Sequence, residues 1–246
     1  MKNKLIILTG PSCIGKSPLE KALAKLYPEL RQTLHKLILF NDRPPRPGEK
    51  DGQDYHFRTT QELNQLSRDP GYLVMDVRGD LQALEMAYLK DILNSKNAFF
   101  EGNPYVAANL LNHSLLHDIP KMSIYLSPLS KAEIMELKDP ERKVNLEHFV
   151  TEVMRRKQIR RKTRQKVEMS QNDLQDVEKR ASSAYRELKM AWQFEYVIPN
   201  HDGEDSDNWE MFYYPVGDAR KTLLAFVEFL KGKVPDIAEQ WDKELI

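Results

Sequence analysis

Residues Gly10 to Ser17 read G-P-S-C-I-G-K-S and combine what an anion needs: a backbone free to curl, one ammonium and one hydroxyl. Glycine lets the main chain turn its N–H groups inward around a phosphate. The apolar run Leu5-Ile6-Ile7-Leu8 precedes this octapeptide, and the helix-forming stretch from Leu19 to Ala24 follows it. Strand, glycine loop and helix start in that order make a phosphate-binding loop, to which the helix adds its N-terminal partial positive charge. Gly10, Pro11, Ser12, Cys13, Ile14 and Gly15 would wrap the phosphates, and Lys16 would reach the β- and γ-phosphates. Ser17 would give its hydroxyl to a Mg²⁺. The ligand this predicts is a nucleoside triphosphate.

Two residues depart from the usual loop. Pro18 has no N–H to offer an α-phosphate, although a first helical turn tolerates proline. Cys13 places a thiol near the phosphates and is read as a small filler rather than a redox group.

A second cluster follows, N-D-R-P-P-R-P-G-E-K-D-G-Q-D-Y-H-F from Asn41 to Phe57. Arg43 and Arg46 stand three apart on proline-stiffened backbone, where core packing has no use for them. Guanidinium forks suit bidentate phosphate recognition.

These groups need a scaffold. Short apolar runs at Leu5–Leu8, Leu37–Phe40, Tyr72–Met75, Ala98–Phe100, Ser123–Leu126 and Phe194–Ile198 alternate with helical patterns. Leu81, Leu84, Tyr88 and Ile92 recur at helical spacing in one such interval. Strands separated by helix-length segments predict an α/β fold with a mostly parallel sheet flanked by helices. From Ser127 to Met190 the pattern turns helical and charged, with Leu174, Val177, Ala181, Ala184 and Leu188 on one stripe and a basic run from Arg155 to Lys166 before it. An acidic, turn-prone segment runs from His201 to Asp207, and Leu223, Leu224, Phe226, Val227 and Leu230 predict a closing helix.

Bulk composition excludes several classes. Lysine plus arginine and aspartate plus glutamate number 37 each in 246 residues, so no net field steers the chain to nucleic acid or an anionic membrane. The basic run also lacks the interleaved aromatics of a nucleic-acid strand-binding surface. One cysteine rules out an internal disulfide framework and predicts a reducing, cytoplasmic setting. No apolar stretch approaches the roughly 20 residues of a membrane span, and the N-terminal one is too short for a signal peptide.

The two clusters, in this order and spacing, resemble the guanylate kinase family. That family pairs G-P-S-x-x-G-K-S with R-x-P-R-x-G-E-x-x-G-x-D-Y-x-F, and Arg43, Arg46, Glu49, Gly52, Asp54, Tyr55 and Phe57 fall on the second pattern without a gap. The resemblance implies a single P-loop NTPase domain over residues 1–246, with core 1–40, 97–137 and 191–246, acceptor-binding insertion 41–96 and helical lid 138–190. It implies ATP and Mg²⁺ as cofactors and a nucleotide as acceptor. Arg43, Arg46 and Tyr55 would hold the acceptor phosphate, with Glu49 orienting them. Arg161, Arg164 and Arg180 would be lid arginines that neutralise charge during transfer. Asn200, in Y-V-I-P-N-H-D, would contact adenine.

Downstream the pattern changes. Asp76 stands in for the family's base-reading glutamate with a one-residue shift, and Arg78-Gly79-Asp80 replaces its tyrosine turn. Glu101 and Asn103 take the place of two acidic residues in a D-x-D strand end, where Glu101 would serve acceptor or Mg²⁺. The resemblance therefore implies transfer of the ATP γ-phosphoryl to a nucleoside monophosphate, GMP-like first. A binding or scaffolding module without turnover and a kinase for another phosphorylated small molecule stay open, as does the oligomeric state.

Overall fold

The first apolar run becomes strand β1 (Leu5–Thr9) with all five residues buried. A strand apolar on both faces belongs inside a parallel sheet covered by helices. The computed structural model describes residues 3–46, 48–77, 79–165 and 168–246; Arg78 and Lys166, named above, lie outside them. After β1 come α1 (Lys16–Leu26), α2 (Pro28–Arg31), β2 (Leu34–Lys36), β3 (Phe40–Asn41), β4 (His56–Phe57) and α3 (Thr60–Leu66). Next are β5 (Tyr72–Val77), β6 (Asp80–Glu85), α4 (Met86–Ser95), β7 (Asn97–Gly102), α5 (Pro104–Asn112) and β8 (Lys121–Ser127). The chain closes with α6 (Lys131–Leu137), α7 (Leu146–Gln165), α8 (Gln171–Leu188), β9 (Tyr196–Pro199) and α9 (Gly217–Leu230).

Five strands hydrogen-bond in the order β2-β7-β1-β8-β9, and four more in the order β4-β3-β6-β5. In the first sheet β2 runs parallel to β7, with Leu34 opposite Asn97, and β8 runs parallel to β9, with Ile124 opposite Tyr196. Helices lie between successive strands along the chain, as parallel crossovers require. This is the α/β P-loop fold.

The chain divides into two compact units. One holds the chain up to Ile7, Thr33–Glu101 and Tyr105–Met122; the other holds Leu8–Gln32, Gly102–Pro104 and Ser123–Ile246. The first unit carries the acceptor-type loop on the four-stranded sheet. Its β5 and β6 form an antiparallel hairpin with Tyr72 opposite Glu85 and Val77 opposite Asp80. The helical reading of Leu81 and Leu84 is corrected here: both lie on β6, and the helix begins only at Met86. Spacings of three suit either element over so short a stretch, and the hairpin turn decides it. Gly79 adopts the left-handed φ of +89° there, and its N–H is held by the Asp76 carboxylate. The expected strand Leu37–Phe40 is also displaced, since pairing falls on Leu34–Lys36 and Phe40–Asn41 on either side of it.

The second unit carries the loop from Gly10 to Ser17, helices α7 and α8 and the closing helix. On α9, Ala219, Thr222, Leu223, Phe226 and Phe229 are buried at helical spacing, and the helix packs on α1 and β9. Helices α7 and α8 lie along one another. Leu146, Val150 and Met154 of α7 are buried, as are Val177, Ala181, Ala184 and Leu188 of α8. The tail packs too: Glu239 bridges Val197 through both main-chain hydrogen bonds, and Trp241 is buried beside it.

Candidate functional site

The phosphate loop is pinned from behind by the segment that follows β9. Asn200 donates from Nδ2 to the carbonyls of Ile14 (2.7 Å) and Asp202 (2.8 Å). Trp209 donates from Nε1 to the carbonyls of Asp202 (2.9 Å) and Gly203 (3.1 Å). A methyl group on Gly15, whose φ is +100°, would stand 2.7 Å from Asn200 Nδ2 and from Asp202 O. One on Gly10 would stand 2.3 Å from Leu126 O. Glycine is required at both places, by backbone conformation and by space.

Within the loop, Lys16 is buried and its ammonium donates to the carbonyls of Gly10 (2.9 Å) and Pro11 (2.8 Å). A lysine folded over the loop carries its charge where phosphate oxygens would sit. Helix α1 has Gly15 as its N-cap, without a side-chain cap and without an acidic residue in its first turn, so its positive N-terminal end faces the loop unopposed by a carboxylate of that turn. Ser17 is exposed at that end. Pro18 costs the helix nothing, because the first i to i−4 bond is Leu19 N–H to Gly15 O (3.1 Å).

Cys13 is buried with φ +69°, and its thiol is pushed far above the usual range by burial, with the Glu204 carboxylate adding to the effect. It stays protonated and fills space, as read from sequence.

Helices α7 and α8 belong to the same unit. Arg161 pairs with Glu204 (3.3 Å), Arg164 with Asp207 (3.0 Å), and Lys157 and Arg160 with Asp205 (3.8 and 3.7 Å). Arg155 pairs with Glu178 (2.6 Å) and Lys162 with Asp173 (2.7 Å), which ties α7 to α8. The basic run is laced to carboxylates of its own unit. Arg180 is buried and donates from Nε to Asp176 (2.9 Å), one turn back on α8. Arg161 and Arg164 thus meet the acidic segment after β9, whereas Arg180 braces its own helix.

In the other unit, Arg43 and Glu49 form a double fork: Nη1 donates to Oε2 and Nη2 to Oε1, both at 2.7 Å. Glu49 also accepts from the Arg46 main-chain N–H (2.8 Å). Burial alone would raise the Glu49 carboxyl, but these bonds hold it below the usual carboxylate range. The Arg43 guanidinium lies 5.2 Å from the Tyr55 ring centre and 5.6 Å from that of Phe57. Arg46 Nη1 also lies 3.8 Å from Glu49 Oε1, with its side chain 44% exposed. Burial raises the Tyr55 phenol, and the charge of Glu101 adds to the rise. Glu101 itself lies 3.7 Å from Lys36 Nζ.

The other predicted residues are placed less simply. Asp76 is exposed and fastens the β5–β6 turn, and Asn103 is half-buried at the end of β7 in the phosphate-loop unit. Asn200, expected at adenine, is fully buried with both amide hydrogens engaged, so it positions the loop. Sequence reasoning missed Lys157, Gly203 and Trp209, which surround the loop's back wall. It also missed Asn41, buried beside Arg43 with Nδ2 lacking a partner while Oδ1 accepts from the Arg43 N–H (3.1 Å). The charge complementarity of the basic run and the acidic segment was a usable signal for the first group.

The guanylate kinase family model matches residues 2–98, which hold both the phosphate loop and the arginine fork. Over that stretch the chain is similar to guanylate kinases. It is 42% identical over 69 residues to the guanylate kinase of Synechococcus sp. (strain JA-3-3Ab), covering 28% of this chain and 30% of that one. At this level of identity the chain matches about a third of the length of such relatives. The guanylate kinase of Ruegeria sp. (strain TM1040) aligns over 96% of this chain and 89% of its own length, at 24% identity. The crystal structure of guanylate kinase from Anaplasma phagocytophilum shares the fold, with TM-score 0.54 and 17% identity over 94% of this chain and 85% of that one. The family-model match thus covers residues 2–98 and does not reach the helical stretch that begins at Lys131.

Proposed function

We propose that the protein transfers the γ-phosphoryl group of ATP to a GMP-like nucleoside monophosphate, as one guanylate kinase-like domain working in the cytoplasm. The observation that carries this reading is the pairing of two differently built anion sites in one chain. One is the Lys16 loop at a helix start without a side-chain cap; the other is the Arg43–Glu49 fork, with Tyr55 beside it and Arg46 paired to the same carboxylate at 3.8 Å. A protein that only hydrolysed a triphosphate would need the first alone.

The donor groups fit the phosphates of ATP, and their division of labour follows from chemistry. Lys16 and the loop amides hold the β- and γ-phosphates, and the exposed Ser17 hydroxyl supplies a ligand oxygen. Among the described residues no group of three or more His, Cys, Asp or Glu could hold a metal by itself. That suits Mg²⁺, which keeps its waters and leans on phosphate oxygens plus one or two protein ligands. When bound it would offset charge on the β- and γ-oxygens. Phosphoryl transfer asks for position and electrostatic stabilisation more than covalent help. Arg161 and Arg164 would supply the lid's positive charge.

A steady-state assay with ATP and GMP, dGMP, AMP, UMP and CMP in turn tests the reading. Turnover with GMP or dGMP that vanishes in Lys16→Ala is expected. ATP binding without turnover on any of the five would point instead to a nucleotide-binding module.

A further inference from the structure

Helix α7 carries two kinds of ion pair. Those joining it to α8 are tight, at 2.6 Å for Arg155–Glu178 and 2.7 Å for Lys162–Asp173. Of those reaching the acidic segment after β9, Arg164–Asp207 is at 3.0 Å, and three are loose: 3.3 Å for Arg161–Glu204, 3.7 Å for Arg160–Asp205 and 3.8 Å for Lys157–Asp205. Charge-assisted hydrogen bonds settle at about 2.7–2.9 Å, so these three are poorly matched. Asp205 is nine-tenths buried, yet its Oδ1 has no hydrogen-bond partner at all. A buried carboxylate oxygen left so is costly, and native sites that keep one generally use it.

The loose pairs sit at the phosphate loop. Gly203 brings them there: a methyl group on it would lie 2.1 Å from Cys13 O and 2.7 Å from Asp205 Oδ1, so both oxygens press on the same face of one glycine. The charges of Glu204, Arg161, Asp205 and Lys157 all act on the Cys13 thiol. Lys157 also donates to the His201 carbonyl and is largely buried. Residues 157, 160 and 161 share one helix face by their spacing.

Resting on the nucleotide reading above, we propose that Lys157, Arg160 and Arg161 form a polyphosphate-binding face of α7, and that Glu204 and Asp205 are its internal counter-charge, displaced when phosphate oxygens take the cations over. Two carboxylates beside the loop would otherwise repel a triphosphate. A phosphate chain offers the same cations more oxygens and shorter bonds, so the exchange runs toward the ligand. The carboxylates set the affinity by competing for those cations. Lys157 is then a phosphate ligand that neither sequence motif carries.

Calorimetric titration of the full chain with ATP, with inorganic triphosphate and with adenosine tests this. Glu204→Gln keeps the shape and removes the competitor, so triphosphate and ATP should bind about fivefold tighter, as loss of one partly exposed ion pair allows. Adenosine affinity should not move. Asp205→Asn should act in the same direction. Lys157→Met should weaken triphosphate binding about tenfold, with Lys157→Arg restoring it, a rescue that a packing role would not give. Unchanged or weaker triphosphate binding in both Glu204→Gln and Asp205→Asn, with melting temperatures intact, overturns the counter-charge while leaving the nucleotide reading standing. Wild-type protein that fails to bind ATP overturns both.

Discussion

Gly203 lies outside both anion motifs, yet it is where the structure is least forgiving. An alanine there would place its methyl 2.1 Å from the Cys13 carbonyl oxygen and 2.7 Å from Asp205 Oδ1. A carbon and a carbonyl oxygen tolerate about 3.3 Å, so the two segments must part by about 1 Å. Neither obstacle yields easily, since one is backbone of the phosphate loop and the other a buried carboxylate. Overpacking of this kind costs about 1–3 kcal/mol. In a chain of this length that lowers the melting temperature by about 2–4 °C per kcal/mol, hence by about 6–12 °C at the upper limit. The larger effect is on ligand, because a shift of about 1 Å in a group that positions substrate can cost about a hundredfold. Thermal melts and ATP titrations of Gly203→Ala measure both. Gly71→Ala is the control, as its methyl would meet only the Asp69 side chain, at 3.1 Å. If Gly203→Ala melts with wild type and binds ATP equally well, the loop is not clamped by this segment and the reasoning is wrong.

Arg43→Lys should weaken GMP binding about tenfold, since a lysine cannot reproduce the double fork with Glu49; titration with GMP reads this directly. The Cys13 thiol, buried and held protonated, should react with a thiol reagent far more slowly in native protein than in urea, and equal rates would contradict its burial. Glu49, Asp202 and Asp218 are each held below the ordinary carboxylate range: burial opposes this, and hydrogen bonds from Arg43, Asn208 and Lys221 respectively lead the groups that win. A depressed folded-state pKa stabilises above the unfolded value and is lost as pH falls through the folded one. The urea midpoint should therefore hold from neutrality down to about pH 5 and drop below about pH 4, less steeply in Glu49→Gln.

What the sequence made legible tracks how local the cause is. The loop from Gly10 to Ser17 and the run from Arg43 to Phe57 are set by glycine and proline backbone limits and by forks of neighbouring side chains, so spacing revealed them. The hairpin at Gly79 was missed because Leu81 and Leu84 fit a helix and a strand alike, and only the left-handed turn separates the two. The role of Asn200 depended on Ile14, far away in the chain, and no pattern near Asn200 carries that contact. Arg161 and Arg164 were named from the family resemblance. Their partners were not, because pairing the run from Arg155 to Lys166 with the acidic segment from His201 to Asp207 requires the fold of α7 against the β9 end.

The central claim is that a phosphoryl group moves between two nucleotides held by this chain. Incubation with ATP labelled at its γ-phosphorus and with unlabelled GMP, followed by separation of products, tests it without coupling enzymes. The account predicts label in GDP, absent from Lys16→Ala and strongly reduced in Arg43→Lys. Label that stays in ATP, or that appears only as inorganic phosphate whether or not GMP is present, would contradict it.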